Sequence, residues 1–221
     1  MKIAMCGYKG KTGSKVYQVL KANKYEVIGI EKDENELIDY IEDVDLVIDF
    51  TNKENAFVNI YMCLEFHKPF IIGTTGFSES ELKSIKELCD VNNVKGVICY
   101  NFAIPINYLF SKLNNFFNYF EEITFFDIHH VSKKDKKSGT SYVVSSINNN
   151  IKVKSYQSNS KVITYVFQLK TKCDKIIITY QVNDKIATYQ QSDRRLCYVL
   201  STTKKTPHTK HPRCSPQVFR C

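Results

Sequence analysis

The chain has 221 residues, of which 43% are hydrophobic and 24% are charged, and its net charge is +8 at pH 7. This length accommodates one or two hydrophobic cores, and the composition is typical of a globular protein. Residues 188–221 carry seven basic residues and one acidic residue, so the rest of the chain is nearly neutral. The charge distribution therefore argues against a nucleic-acid-binding body.

Membrane insertion and secretion are also disfavoured. No run approaches the ~20 consecutive apolar residues that span a bilayer, and the first residues lack the basic start and long apolar stretch of a signal peptide. The eight cysteines are scattered and form no C-x-x-C pair. This pattern predicts a protein of the reducing cytoplasm, with no disulfide framework and no metal site.

The first hundred residues alternate between short strand-like and longer helix-like segments. Strands are predicted at 2–6, 26–30, 46–50, 70–72 and 96–99, and helices at 12–22, 34–41, 53–66 and 78–91. Strands that alternate with helices of this length predict a parallel sheet covered on both faces.

The pattern changes after Asn101. A helix is predicted at 104–120, a strand at 121–130, a helix at 138–149, and strands at 162–169 and 175–180. We therefore predict an α/β, Rossmann-like cofactor domain over 1–102 and an α+β domain over 103–187. Residues 188–221, with three prolines and no sustained apolar period, predict an irregular basic tail.

A candidate dinucleotide-binding loop follows the first strand and opens the first helix. It has the spacing G-x-x-G-x-x-G over Gly7 to Gly13, and such a turn lets the backbone approach a pyrophosphate at a helix N-terminus. A tight strand-to-helix turn without a ligand has the same pattern. Glu31, at the end of the second strand, stands where an acid bonds the adenine ribose. Its neighbour Lys32 suits a 2′-phosphate, so both NADH and NADPH remain open.

Other polar loops follow later strands, at the edge where open α/β sheets bind ligands. They contain Thr51, the sequence Gly73-Thr74-Thr75-Gly76, and the sequence Tyr100-Asn101-Phe102.

The most informative segment is 127–140, D-I-H-H-V-S-K-K-D-K-K-S-G-T. His129 and His130 end an apolar strand, Lys133 follows, and Ser138-Gly139-Thr140 opens a helix. A helix N-terminus and a lysine attract a carboxylate, and a histidine or lysine supplies a proton near neutral pH. The alternative interpretation is a solvated basic loop with a helix cap.

Five ordered motifs resemble the dihydrodipicolinate reductase family of bacterial and plant lysine synthesis. They are Gly7 to Gly13, Asp49-Phe50-Thr51, Gly73 to Phe77, Asn101-Phe102 and the H-H-x-x-K-x-D-x-x-S-G-T run. The resemblance covers residues 1–187 and is tightest up to Thr140. It implies a cytoplasmic, usually tetrameric enzyme that reduces a cyclic dicarboxylate, 4-hydroxy-tetrahydrodipicolinate, with NADH or NADPH.

The resemblance also implies residue roles. The catalytic pair falls on His129 and Lys133, and substrate binding falls on His130, Gly139 and Thr140. Cofactor binding falls on Gly7, Tyr8, Lys9, Gly10, Lys11, Thr12, Glu31, Lys32, Gly73, Thr74, Thr75, Cys99, Tyr100, Asn101 and Phe102.

The chain departs from the family pattern in its second half. Lys136 and Lys137 replace an Ala-Pro pair, the glycine-rich segment near 153–160 is absent, and the apolar C-terminal helix has no counterpart in 188–221. Three alternatives therefore stand beside the reductase: another small-substrate NAD(P) dehydrogenase, an inactive or decayed NAD(P)-binding homologue, and a metal or nucleic-acid role for the tail through His208, His211 and Cys214.

Overall fold

The computed structural model describes residues 1–32, 34–102, 104–132, 138–148 and 150–183. These residues form two compact units, and the chain passes from the first to the second after Tyr100. Lys133, the other residues of 133–137 and the predicted tail lie outside the described residues, as do the predicted tail ligands His208, His211 and Cys214. The predicted domain limits of 102 and 187 remain predictions.

The first unit is a five-stranded parallel sheet with helices. Its strands are β1 (Lys2–Cys6), β2 (Glu26–Ile30), β3 (Leu46–Asp49), β4 (Phe70–Ile72) and β5 (Gly96–Ile98). Its helices are α1 (Gly13–Ala22), α2 (Lys53–Glu65) and α3 (Glu79–Asn92). The strand order is β2-β1-β3-β4-β5, and every neighbouring pair is parallel. The predicted Rossmann-like fold class is confirmed.

Sequence explains these elements directly. β3 and β4 are buried at every position, as expected of strands covered on both faces. α3 begins with a capping box, in which the Ser78 hydroxyl accepts from the amide of Glu81 and the Glu81 carboxylate accepts from the amide of Ser78. Reciprocal bonds of this kind satisfy two amides that have no partner within the helix.

The predicted helix at 34–41 is wrong. The connection between β2 and β3 contains two 3-10 turns instead, at Leu37–Asp39 and Ile41–Asp43. Leu37 and Ile41 are buried at helical spacing, which explains the prediction. Two apolar contacts over one turn are too few to repay the cost of nucleating an α-helix.

The second unit is a four-stranded mixed sheet with two helices. Its elements are α4 (Ile104–Phe116), a 3-10 turn (Phe117–Tyr119), β6 (Glu122–His130), α5 (Gly139–Ile147), β7 (Ile151–Ser158), β8 (Ile163–Lys170) and β9 (Lys175–Val182). The order is β7-β6-β8-β9, with β6 parallel to β7 and antiparallel to β8. The side chains of Phe117, Phe125 and Phe167 fill the core of this unit.

Strand β7 was not predicted. It lies at the edge of the sheet, and four consecutive residues from Lys154 to Gln157 are exposed. A mostly solvated edge strand lacks the apolar run or sustained alternation from which strands are recognised. Within the part of the chain that the structure describes, no helix is both long and apolar enough to cross a membrane.

Candidate active site

The glycine loop after β1 is shaped by backbone contacts. Gly7 has a φ of +74°, a conformation that favours glycine. A Cβ on Gly13 would lie 2.0 Å from the carbonyl oxygen of Gly7, whereas a Cβ on Gly10 would lie 3.2 Å from the same atom. The first and last glycines therefore allow the loop to fold tightly onto the start of α1, where helix amides have no partner within the helix.

The loop also lies at the point where the strand order reverses. A Cβ on Gly7 would lie 2.9 Å from the Phe50 carbonyl oxygen and 3.1 Å from the Thr51 methyl carbon. The loops after β1 and β3 thus meet at the edge of the sheet where doubly wound α/β folds bind their ligands.

Glu31 lies beside this loop. Its carboxylate accepts a long, 3.4 Å hydrogen bond from the backbone amide of Lys9, and its own amide donates to Asn35 at 3.0 Å. The predicted residues Tyr8, Lys9 and Glu31 are therefore brought together. Lys11 and Lys32 are exposed.

Glu34 completes this group and was not predicted. Its carboxylate binds the Lys9 ammonium closely and accepts from the Tyr8 hydroxyl at 2.9 Å. The hydrogen bond from Lys9, followed by the one from Tyr8, holds the pKa of Glu34 below its ordinary value. The sequence signal was weak, since Glu34 is one acid among several after β2.

Asp49 organises the loops after β3 and β4. Its buried carboxylate accepts from the amide and hydroxyl of Thr51, from the Asn59 side chain at 2.6 Å, and from the Thr74 hydroxyl at 3.0 Å. Burial raises the pKa of Asp49, although these hydrogen bonds act in the opposite direction. One carboxylate thus holds Thr51 and Thr74 at the same edge of the sheet.

The rest of the predicted loop residues are placed as follows. A Cβ on Gly73 would lie 2.1 Å from the Phe50 ring, so the loop after β4 packs directly on that ring. Thr75 is half-buried, Cys99 is buried at the end of β5, and Tyr100 packs against the core of the first unit.

The first unit therefore fits a dinucleotide. A tight glycine loop, the N-terminus of α1 with its helix dipole, and an acid beside the loop are the features that a pyrophosphate and a ribose need. No group of three or more potential metal ligands occurs among the described residues.

In the second unit, Asp127 and His129 lie two positions apart on β6 and share its buried face. The Nδ1 atom of His129 is 2.6 Å from Oδ1 of Asp127. The other oxygen, Oδ2, accepts from the Ser138 amide at 3.3 Å and is in close contact with the Ser141 hydroxyl. Burial raises the pKa of Asp127, but the bonds from His129, Ser138 and Ser141 outweigh it, and the pKa lies below its ordinary value.

His130 lies on the opposite face of β6. Its Nδ1 atom accepts from the backbone amide of Ser132 at 3.1 Å and contacts the Ser132 hydroxyl at 2.8 Å. Because Nδ1 accepts, the neutral ring carries its proton on Nε2. The two predicted histidines are therefore adjacent in sequence but have different partners: His129 contacts Asp127, and His130 contacts Ser132.

Thr140 joins two other side chains of the second unit. Its hydroxyl accepts from the Asn101 amide at 2.8 Å and donates to the Tyr165 hydroxyl at 3.1 Å. Tyr165 also packs edge-on against the His129 ring, with a centroid distance of 5.8 Å. The predicted residues Asn101, Thr140 and His129 thus belong to one cluster. Phe102 is buried, and Gly139 begins α5.

Tyr165 was not singled out from the sequence. It lies directly opposite Asp127 in the antiparallel pairing of β6 with β8. Only this register brings it to the histidine, and no local pattern around Tyr165 signals it. Asp127 stands inside the motif, two positions before the first histidine, and that spacing was the available signal.

Comparisons with known proteins identify relatives of this chain. Residues 1–102 match the family model described as dihydrodipicolinate reductase, N-terminus. A 4-hydroxy-tetrahydrodipicolinate reductase of Dictyoglomus turgidum is 33% identical over 132 residues, which are 58% of this chain and 49% of that protein. One of Streptococcus uberis is 30% identical over 154 residues, which are 63% of this chain and 60% of that protein. The chain thus spans about half to three-fifths of the length of these curated relatives.

Solved structures support the fold. A dipicolinate-bound dihydrodipicolinate reductase from Paenisporosarcina sp. TG-14 superposes with a TM-score of 0.69 at 16% identity, covering 92% of this chain and 94% of that one. Aspartate dehydrogenase from Thermotoga maritima superposes with a TM-score of 0.56 at 12% identity, covering 94% of this chain and 99% of that one. The match over residues 1–102 and the curated relatives show that the chain is similar to dihydrodipicolinate reductases, and the solved structures show that it shares their fold.

Proposed function

We propose that the chain is an NAD(P)H-dependent oxidoreductase that reduces 4-hydroxy-tetrahydrodipicolinate to tetrahydrodipicolinate in diaminopimelate and lysine biosynthesis. The names of the curated relatives support this activity. The observation that carries the proposal is the cluster in the second unit, in which Asn101 bonds Thr140, Thr140 bonds Tyr165, and the Tyr165 ring packs on His129. A generic dinucleotide-binding domain has no need of this cluster.

In this proposal, the first unit binds the cofactor. The amides at the start of α1 hold the pyrophosphate, and Glu31 bonds the adenine ribose while Lys32 remains available for a 2′-phosphate. The loops containing Gly73, Thr74, Thr75, Cys99 and Tyr100 serve the nicotinamide side, together with Asn101 and Phe102. When bound, the cofactor supplies the hydride.

The second unit binds and protonates the substrate. His130, Gly139 and Thr140 hold a small dicarboxylate, for which the N-terminus of α5 is a suitable partner because the helix dipole attracts negative charge. His129 and Lys133 act together in proton donation. We also propose that the protein acts in the cytoplasm as a homotetramer assembled through the sheet of the second unit.

The test is NADPH and NADH oxidation by the purified chain, followed by absorbance. The substrate is made in situ from pyruvate and aspartate semialdehyde by the preceding synthase. Lys133→Ala is expected to reduce turnover by about 10²- to 10⁴-fold, the usual contribution of a proton donor. The matched control is Lys172→Ala, which removes an exposed lysine between β8 and β9.

The second candidate is a catalytically inactive NAD(P)-binding homologue. The observation that favours it is the sequence of residues 188–221, in which the basic, proline-containing tail has no counterpart of the family's apolar C-terminal helix. A folded protein that binds NADPH and shows no turnover with the fresh substrate would support this candidate and contradict the reductase. Turnover that survives Lys172→Ala and is lost in Lys133→Ala would support the reductase.

A further inference from the structure

We infer that Asp127 is a positioning residue that sets the tautomer and orientation of the His129 ring and joins that ring to the start of α5. The inference rests on the proposed function only in treating His129 as the proton-transfer group. The placement of Asp127 itself depends on contacts within the second unit alone.

The two carboxylate oxygens have different neighbours, and Oδ1, which is buried and makes no other hydrogen bond among the described residues, is left to the His129 ring. Oδ1 lies 2.6 Å from Nδ1 of His129, and Oδ2 receives the Ser138 amide and the Ser141 hydroxyl. The side chain is 1% exposed, so water does not compete for either oxygen. The register of β6 with β8 places Tyr165 opposite, and its ring limits rotation of the imidazole from the other side.

A charged carboxylate next to Nδ1 determines where a neutral imidazole carries its proton. Because an ionised carboxylate can only accept, Nδ1 must donate, and Nε2 is left as the acceptor. His129 then has Nε2 as the nitrogen that acts as a base, or as an acid once protonated. This assignment is the opposite of that of His130, whose Nδ1 accepts from Ser132.

An amide cannot replace the carboxylate. The Ser138 amide is a fixed donor, so the oxygen of an asparagine at position 127 would turn toward it. The asparagine nitrogen would then face Nδ1 of His129 as a donor, and the ring proton would move to Nε2. An isosteric substitution is therefore expected to reverse the tautomer without removing a side chain from the core.

Asp127 also joins two elements of the second unit. Its carboxylate contacts His129 near the end of β6 and the Ser138 amide just before α5. The strand that carries the proposed proton-transfer histidine and the start of α5 are thus held by one buried group.

The test is ¹⁵N NMR of the full chain labelled at histidine, near pH 8, where the tautomer of each neutral ring is read from its two nitrogen shifts. His129→Gln identifies the signal of His129. We expect Nδ1–H in the wild type and in Asp127→Glu, and Nε2–H in Asp127→Asn. Turnover of Asp127→Asn is expected to fall by about 10²- to 10⁴-fold, with partial recovery in Asp127→Glu.

Ser141→Ala is the matched control, because it removes a contact on Oδ2 and leaves Oδ1 to the histidine. It is expected to retain Nδ1–H. A wild-type His129 that carries its proton on Nε2 overturns the inference, and so does an Asp127→Asn protein that keeps Nδ1–H. If Asp127→Asn does not fold, the wild-type and Asp127→Glu spectra decide by the same criterion. An inactive protein with the expected tautomers would contradict the proposed function and leave this placement intact.

Discussion

The side-chain amide of Asn101 donates a 2.8 Å hydrogen bond to the hydroxyl of Thr140, 39 positions further along the chain. The residue that enters the second unit is thereby joined to the first turn of α5. Thr140 is buried, and its hydroxyl donates a 3.1 Å hydrogen bond to the hydroxyl of Tyr165. Its orientation is therefore determined from both sides before any substrate binds.

Replacing Thr140 with valine preserves its shape and removes both hydrogen bonds. Because each bond contributes about 1 kcal/mol, we expect the KM for the dicarboxylate to rise by roughly tenfold, with a smaller change in kcat. Steady-state kinetics check this. Thr164→Val, on strand β8, is the control for loss of a threonine hydroxyl. An unchanged KM in a folded Thr140→Val protein would contradict a role in substrate binding.

The glycine loop offers a matched pair of alanine substitutions. In Gly13→Ala the new methyl group would lie 2.0 Å from the Gly7 carbonyl oxygen, and neither backbone can move freely. In Gly10→Ala the same distance is 3.2 Å, which a shift of a few tenths of an ångström relieves. We expect Gly13→Ala to weaken NADPH binding by more than about tenfold, or to unfold the first unit, and Gly10→Ala to bind with a much smaller loss. Fluorescence titration measures NADPH binding, and circular dichroism measures folding. Equal NADPH affinities of the two variants would contradict this explanation of the loop.

Asp49 makes stability depend on pH in a defined direction. Since burial raises its pKa in the folded protein, the native carboxyl holds its proton more tightly than the unfolded one does. The corresponding stability is fully present below about pH 4, the ordinary pKa of aspartate, and is lost as the pH rises through the raised native pKa. The wild type should therefore lose free energy of unfolding relative to Asp49→Asn across this window.

Urea denaturation of both proteins from pH 3.5 upward measures the effect. Asp174→Asn, which removes an acid from an exposed turn, controls for the change in net charge. A wild-type curve that runs parallel to that of Asp49→Asn would mean that the buried carboxyl has the same pKa in both states.

Tyr165→Phe isolates the hydroxyl from the ring. The phenylalanine keeps the ring contact with His129 but leaves the buried Thr140 hydroxyl without its acceptor, at a cost of about 1–3 kcal/mol in unfolding free energy. The control is Tyr180→Phe, since the Tyr180 ring stacks on Tyr165 and is only half-buried. Urea denaturation should show the larger loss for Tyr165→Phe. The reverse order would contradict the hydrogen bond.

The parallel sheet could be predicted because each of its strands is a short apolar run between turn residues. Such local patterns can be recognised from the sequence without knowledge of the fold. Strand β7 was missed because it depends on pairing with β6 along its whole length. Its exposed residues carry no apolar pattern that would indicate this pairing. The same limit applies to the site. His129 and Thr140 stand in a motif, whereas Tyr165 joins them only through strand register. Glu34 was missed because its partners, Tyr8 and Lys9, lie in the loop after β1, 26 and 25 positions earlier in the chain.

Strand β6 carries Ile123, Phe125, Asp127 and His129 on one face, in unbroken alternation. The aromatic packing of Phe125 with Phe167 therefore continues into the polar cluster without any intervening loop. A substitution that shifts β6 within this interior therefore also shifts the strand that carries His129. The stability of this interior and the position of the proposed proton-transfer histidine thus depend on the same strand.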